Sequence, residues 1–465
     1  MKYYLAVDIG ASSGRHIISY LKDGKIVLEE IYRFENGMIN KNGHLTWDTN
    51  RLFSEILTGM KKCKEVGKVP DTMGIDTWAV DYALLDAEGN ALGEVYGYRD
   101  SRNNGMDEKV YDIIPEDKLY ERTGIQKQLF NSIYQLMAHK VYEQDVLEKA
   151  VIMLMIPDYF HYLLTGNKVT EYTNASTTQL VSPITKDWDY ELIDMLGYPR
   201  EIFTEIKMPG TDIGELKEEI ENMVGYKCRV VLPATHDTGS AVMAVPVVGD
   251  DNLYISSGTW SLMGTELTEA NCSKESKAKN LTNEGGYNYR FRYLKNIMGM
   301  WMINSARNEI AKDMSFSTIC EMASKENISS IVDVNADRFL APKSMVEEVQ
   351  NACLESGQEV PYGIAKTAAV IYNSLAKCYA DTVAEIEKIT GKHFNEIHIV
   401  GGGANASYLN ELTAKACKRE VLAGPIEATA IGNIVCQMIA AGELKDLTEA
   451  RQCIAESFEI KLFGI

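Results

Sequence analysis

The chain has 465 residues, 45% hydrophobic and 24% charged, enough for two sizeable cores, and two domains are expected. Its formal charge of −19, with no basic stripe or helix to offset it, disfavours nucleic acid and anionic membranes as partners. No stretch approaches the roughly 18 apolar residues of a membrane helix, no basic leader opens the chain, and nine scattered cysteines without a C-x-x-C pair argue for reduced thiols, so a cytoplasmic protein without a zinc site or disulfide framework is expected.

The opening reads as a three-stranded antiparallel meander: "YYLAVDI", the turn "GASSG", "RHIISYL", the turn Lys22-Asp23-Gly24-Lys25, then "IVLEEIYRF". Helix signals run from Asn50 to Val66, followed by strands "MGIDTWAV" and "YALLD" and the turn Glu88-Gly89-Asn90. Strands and helices alternate, which implies an α/β layer structure. Near the middle, "RVVLPATHDTGSAVMAVPVVGDDNLYISSGTWSLMGTEL" repeats the opening theme, so the two halves read as distant echoes. Pro, Gly and Asp interrupt the apolar pattern between Pro246 and Asp251, which places the expected boundary between domains 1–245 and 246–465. Further on, Ile364, Ala368, Ile371, Leu375 and Cys378 keep helical spacing, and "EIHIVGGGANASYLNELTAKAC" reads as strand, glycine turn and helix.

Three glycine turns follow apolar strands: Gly10 to Arg15, Ser256 to Thr259, and Gly401 to Gly403. None is a Walker loop or a dinucleotide fingerprint. Each offers open backbone N–H groups and, in the first two, hydroxyls, which is what a polyanion needs, and their spread over both halves suits one ligand gripped by two domains. In "LPATHDTGSA" an apolar strand runs into His236-Asp237-Thr238-Gly239 and a helical run begins. Asp237 there is either a helix N-cap or the acceptor of a proton from an attacking hydroxyl, and the two roles are compatible. "GIDTWAVDYALLD" flanks Trp78 with Asp76 and Asp81, either as the wall of a sugar pocket or as plain core. "YRDSR", residues 98–102, reads as a surface ion-pair cluster.

These motifs, with "MIPDYFHYLLTG", "EYTNASTTQL", "TNEGG", "LKNIMGMW", "DRFLAP" and "GPIEATAIGN", give the chain over essentially its whole length a resemblance to the FGGY carbohydrate kinases. The resemblance implies a two-domain actin-like ATPase fold, ribonuclease H-like in each half, with ATP and Mg²⁺ in an interdomain cleft. It implies transfer of the γ-phosphoryl group to O1 of a ketose, L-rhamnulose being expected, with L-fuculose or D-xylulose as the alternative acceptors. By the same resemblance Asp237 is the general base, and Ala79, His236, Thr238 and Asn296 join it around the sugar. Ala11, Ser12, Ser13, Gly14 and Arg15 face the phosphates, Thr259, Asn304 and Gly402 hold the nucleotide, and Asp8 holds the hydrated Mg²⁺. At 79 a glycine and at 304 a glutamine are the familiar residues, so this sequence departs from the pattern there. A non-catalytic sugar or nucleotide sensor on the same fold is the rival reading; Asp237 and the lack of a basic helix-turn-helix segment speak against it.

Overall fold

The computed structural model describes residues 1–464 except Val248, Asp250 and Asp251, so those three positions of the expected domain boundary lie outside the described residues. Two compact units are present. The first comprises residues 1–244, 267–293 and 429–457; the second comprises 245–266, 294–428 and 458–465. Thus the chain returns twice to the first unit after position 245, which a single cut in the sequence does not express.

In the first unit, β1 (Tyr4–Ile9), β2 (Ser13–Lys22), β3 (Lys25–Glu35), β4 (Thr72–Thr77), β5 (Asp212–Glu215) and β6 (Arg229–Val231) form a six-stranded sheet in the order β5-β6-β4-β1-β2-β3. The β1–β2–β3 meander is antiparallel, β1 pairs parallel with β4 and β4 with β6, and β5 closes the edge antiparallel. Asp23 and Gly24 both have positive φ (51° and 78°), the backbone of a tight hairpin turn whose twist matches the flanking strands. β1 is buried along its whole length, and the apolar faces of Leu5, Val7, Ile9 and Ile75 pack with Leu52, Ile56 and Met60 of helix Thr49–Glu65. That helix begins where Asp48 accepts a hydrogen bond from the Arg51 N–H, one residue ahead of the expected start. A second cluster around Tyr82, Tyr134, Met153, Tyr172 and Trp188 forms a separate core in the same unit.

Wholly or mainly in the second unit, β7 (Tyr254–Ser257), β8 (Trp260–Leu267), β9 (Phe291–Met298), β10 (Glu396–Val400), β11 (Glu420–Ala423) and β12 (Lys461–Phe463) follow the order β9-β8-β7-β10-β11-β12. β7 and β8 are antiparallel, β7 with β10 and β10 with β11 are parallel, and β12 is antiparallel. The echo expected from the sequence is therefore a repeated strand plan. The 28-residue helix Gly363–Thr390 buries Ile364, Ala368, Ile371 and Leu375, as their spacing predicts.

Candidate active site

The strand expected over 73–80 ends at Thr77, and the reason lies in the backbone: Val80 has φ +68°, a conformation that excludes a β-branched residue from a strand and costs on the order of 1–3 kcal/mol. The Val80 carbonyl is held by the Ser132 hydroxyl (2.5 Å) and the Gln135 amide (3.3 Å). Trp78 is core: its ring centroid lies 3.9 Å from that of Trp47, and both indole N–H groups donate to Asp81 Oδ2 at 2.9 and 2.7 Å. Ala79 sits half-buried in this bend, its carbonyl accepting from the Asp81 N–H. "YRDSR" is not a surface cluster. Asp100 and Arg102 are buried, Asp100 accepting from Leu45 N–H and His44 Nδ1, and Arg102 reaching Glu143 at 2.8 Å while stacking 3.7 Å above the Tyr96 ring.

Acids gather at the ends of the central strands of the first sheet. The parallel register of β1 and β4 sets Asp8 beside Asp76, and a bridge from Thr77 to His236 brings the next residue, Asp237, to the same end. Across the hairpin Asp8 pairs with Arg15, whose Nε and Nη2 donate to Asp8 Oδ2 at 3.1 and 2.9 Å. Ala11 and Ser12 are exposed, Ser13 is half-buried, and Gly14 is buried because a Cβ there would meet the Phe34 ring at 2.1 Å. Asp76 is fully buried, accepts from Asn433 Nδ2 at 2.6 Å through Oδ2, and leaves Oδ1 without a partner. Burial and the neighbouring Asp8 push its carboxyl well above the usual range.

Helix Asp237–Met243 carries the other acid. Its N-cap is His236, not Asp237, and the Asp237 carboxylate makes no conventional cap: Oδ1 accepts from the Thr238 N–H (2.6 Å) and hydroxyl (3.2 Å). No hydrogen bond engages Oδ2 among the described residues, and the side chain is 33% exposed. Burial raises the Asp237 carboxyl above its ordinary value, as does Asp8, while the Thr238 hydrogen bonds act in the opposite direction. The result is an accessible carboxylate with more affinity for a proton than a free aspartate has.

Several site residues escaped the sequence reading. Glu171, buried, accepts from Thr173 and Asn174 backbone N–H groups and from both N–H and hydroxyl of Thr235, and Thr173 Oγ1 in turn accepts from the His236 N–H at 3.2 Å. Glu284 and Arg292, also buried, flank the His236 ring. Gly432 of helix Ala428–Ala440 lies so close to helix Asp237–Met243 that a Cβ would meet Ser240 O at 1.7 Å. Glu171 lies in "EYTNASTTQL", Glu284 in "TNEGG" and Gly432 in "GPIEATAIGN", while Arg292 falls outside these motifs; the buried acids of the first two were the missed signal.

Thr259, Asn296, Asn304 and Gly402 belong to the second unit. There two glycine turns meet: a Cβ on Gly403 would strike Ser257 Oγ at 1.9 Å, and one on Gly401 would lie 2.9 Å from Ser257 O. The Trp301 N–H donates to Thr259 O at 3.0 Å, which docks helix Trp301–Ile310, and with it Asn304, on the hairpin loop. Thr259 and Gly402 are exposed, a Cβ on Gly402 would enter open space, and half-buried Asn296 keeps Oδ1 unpartnered.

Among the described residues no helix is long and apolar enough to cross a membrane, and no group of three or more His, Cys, Asp or Glu side chains is disposed to hold a metal ion by itself. Over its whole length the chain is 50% identical to a rhamnulokinase of Halalkalibacterium halodurans, covering 100% of this chain and 99% of that protein. It is 44% identical to a rhamnulokinase of Bacillus subtilis, covering 99% and 95%. In structure it resembles a ligand-bound xylulose kinase from Lactobacillus acidophilus (TM-score 0.82, 17% identity, 100% and 94% coverage) and a Plasmodium falciparum glycerol kinase with ADP (0.78, 14%, 99% and 94%). The fold is the actin-like α/β fold of these sugar kinases. Residues 3–244 match the N-terminal domain, and 253–441 the C-terminal domain, of the FGGY family of carbohydrate kinases, and the chain belongs to that family.

Proposed function

We propose that this kinase transfers the γ-phosphoryl group of ATP to O1 of L-rhamnulose in the cytoplasm, with no nucleic-acid partner. The observation that carries the reading is full-length identity of 50% to a rhamnulokinase in a chain whose Asp237 keeps one carboxylate oxygen accessible. Asp237 takes the proton as the C1 hydroxyl attacks the γ-phosphorus, and ADP departs in line. Such a transition state needs positioning and charge neutralisation more than covalent help. Residues 1–245 supply the base, the sugar contacts at Ala79, His236 and Thr238, and the phosphate-facing run from Ala11 through Ser12, Ser13 and Gly14 to Arg15. Residues 246–465 supply Asn296 for the sugar and Thr259, Asn304 and Gly402 for the nucleotide.

Hard oxygen donors on neighbouring strands, one of them the orphaned Asp76 Oδ1, fit a divalent cation that keeps most of its water, as Mg²⁺ does, since no three-acid cage is present among the described residues. Asp8 would hold it. When bound, it would neutralise developing charge on the phosphates. The deciding experiment is a coupled kinase assay over L-rhamnulose, L-fuculose, D-xylulose, L-ribulose and glycerol, with phosphorus NMR on the product. L-rhamnulose should lead by at least ~10-fold in kcat/KM, since shorter acceptors forgo the apolar burial of its methyl group and an epimer leaves a buried donor or acceptor unpaired. A preference for L-fuculose or D-xylulose would overturn the acceptor and leave the kinase class.

A further inference from the structure

The ring of His236 has two nitrogens and unlike neighbours at each. Nε2 lies 3.4 Å from Asp237 Oδ1, toward the accessible carboxylate. Nδ1 faces inward, 3.0 Å from Arg292 Nη2 and 3.4 Å from Glu284 Oε2. Arg292 is fully buried and fixed at two further points: its Nε donates to Gly285 O at 2.8 Å and its Nη1 lies 3.1 Å from Glu284 Oε2.

We propose that Arg292 is a positioning residue that holds His236 as a neutral imidazole with its proton on Nε2. Resting on the kinase reading, this makes His236 a donor to a sugar oxygen and leaves Asp237 as sole acceptor of the attacking hydroxyl's proton. A guanidinium has five N–H donors and no acceptor. At 3.0 Å its N–H needs a lone pair on Nδ1; a proton there would set hydrogen against hydrogen. Glu284 makes the opposing claim, because a carboxylate beside Nδ1 favours an N–H at that position. It loses on two counts. Its 3.4 Å approach is longer than the ~2.7–3.2 Å of an N–H···O bond, and its charge is already engaged by Arg292. With Nδ1 accepting, the neutral ring can carry its proton only on Nε2. Among the described residues, the charged groups facing the ring are Asp237 from the same chain segment and Glu284 and Arg292 from 282–293. The polar contact behind it is Thr173, which takes the His236 backbone N–H.

The test is long-range proton–nitrogen NMR on protein labelled with ¹⁵N-histidine, the His236 signal identified among seven histidines by its loss in His236→Gln. At pH 7 the parent should show a protonated Nε2 and an unprotonated Nδ1. Glu284→Gln should keep that pattern, and Arg292→Met should abolish it, raising the ketose KM about tenfold, the worth of one oriented hydrogen bond, with a smaller effect on kcat. Arg292→Lys, which restores a donor, should recover part of both. An imidazolium or an Nδ1–H tautomer in the parent overturns the proposal, as does an unchanged spectrum in Arg292→Met. The parent spectrum decides the matter even if the Arg292 variants do not fold. Because it needs no turnover, a chain that phosphorylates no ketose would refute the kinase reading while leaving the tautomer standing.

Discussion

The hairpins β1–β2 and β7–β8 are built alike and equipped differently. Each is an antiparallel pair whose first strand has a parallel neighbour on its other side. At the position where the first has Asp8, opposite Arg15 and beside Asp76, the second has Ser256, opposite Leu262 and beside Val400. One strand end therefore concentrates charge, and the other offers hydroxyls and the glycine turn 401–403. The repeated plan is a scaffold, and the chemistry is written in a few side chains at the strand ends.

The contrast can be broken most severely at the base. Asp237→Asn should lower kcat by at least ~10²-fold with the KM values for ketose and ATP near the parent's, in steady-state assays; a rate within threefold would reduce Asp237 to a structural role. Next comes the hairpin pair itself. Asp8→Ala should raise the Mg²⁺ concentration for half-maximal rate by ~10–100-fold, the range for residues that support a metal through its surroundings, whereas Ser256→Ala should leave it unchanged. Equal metal demand in the two variants, or full activity in excess EDTA, would erase the distinction.

A smaller effect separates two adjacent glycines of the second unit. Gly403→Ala overpacks against Ser257 and should cost about 1–3 kcal/mol in denaturant unfolding. Gly402→Ala, which meets open space, should stay within about 0.5 kcal/mol of the parent yet raise the KM for ATP. If both variants shift stability equally, the packing account of this turn fails.

The last effect is one of pH. Burial holds His161 of the first unit neutral and lowers its pKa to about 3, with its Nε2 accepting from the Ile75 N–H at 3.0 Å. The unfolded chain binds a proton there below its ordinary value near 6.5 that the folded chain refuses, so this residue's contribution is present above pH 6.5 and is lost as pH falls toward 3. His161→Gln, which keeps an acceptor, should reduce the slope of stability against pH between 4 and 6 by up to about 1.4 kcal/mol per unit, relative to the parent. Identical slopes in denaturant titrations would contradict the burial of a neutral ring.

Features decided by neighbours in sequence were legible in advance. The Asp23–Gly24 turn, the meander and the stripe of helix Gly363–Thr390 depend on local backbone preference and apolar spacing. The place of Asp237 where an apolar run gives way to a helix was legible for the same reason. What lay beyond reach depends on register between distant segments. Nothing near "GIDTW" announces that Asp76 will meet Asn433, 357 residues later, or that Trp78 will stack on Trp47 and share Asp81 with it. "YRDSR" looked solvent-facing because its charges outnumber its apolar residues, while the partners that bury it, Leu45, Tyr96 and Glu143, come from elsewhere in the chain.

Helix Ala428–Ala440 has a consequence for biosynthesis. Its Gln437 donates to Leu5 O in β1 and accepts from the Thr72 hydroxyl at the start of β4, while Asn433 caps the buried Asp76 and Gly432 seats against the helix that bears Asp237. Strands β1 and β4 thus wait for a segment made more than 350 residues later, and contacts of such long range form slowly. A nascent chain ending near residue 400 would have synthesised every strand of the first sheet and still leave Asp76 without its amide partner. Asp76 therefore gains its amide partner only once residue 433 has been made, long after the strand that carries it.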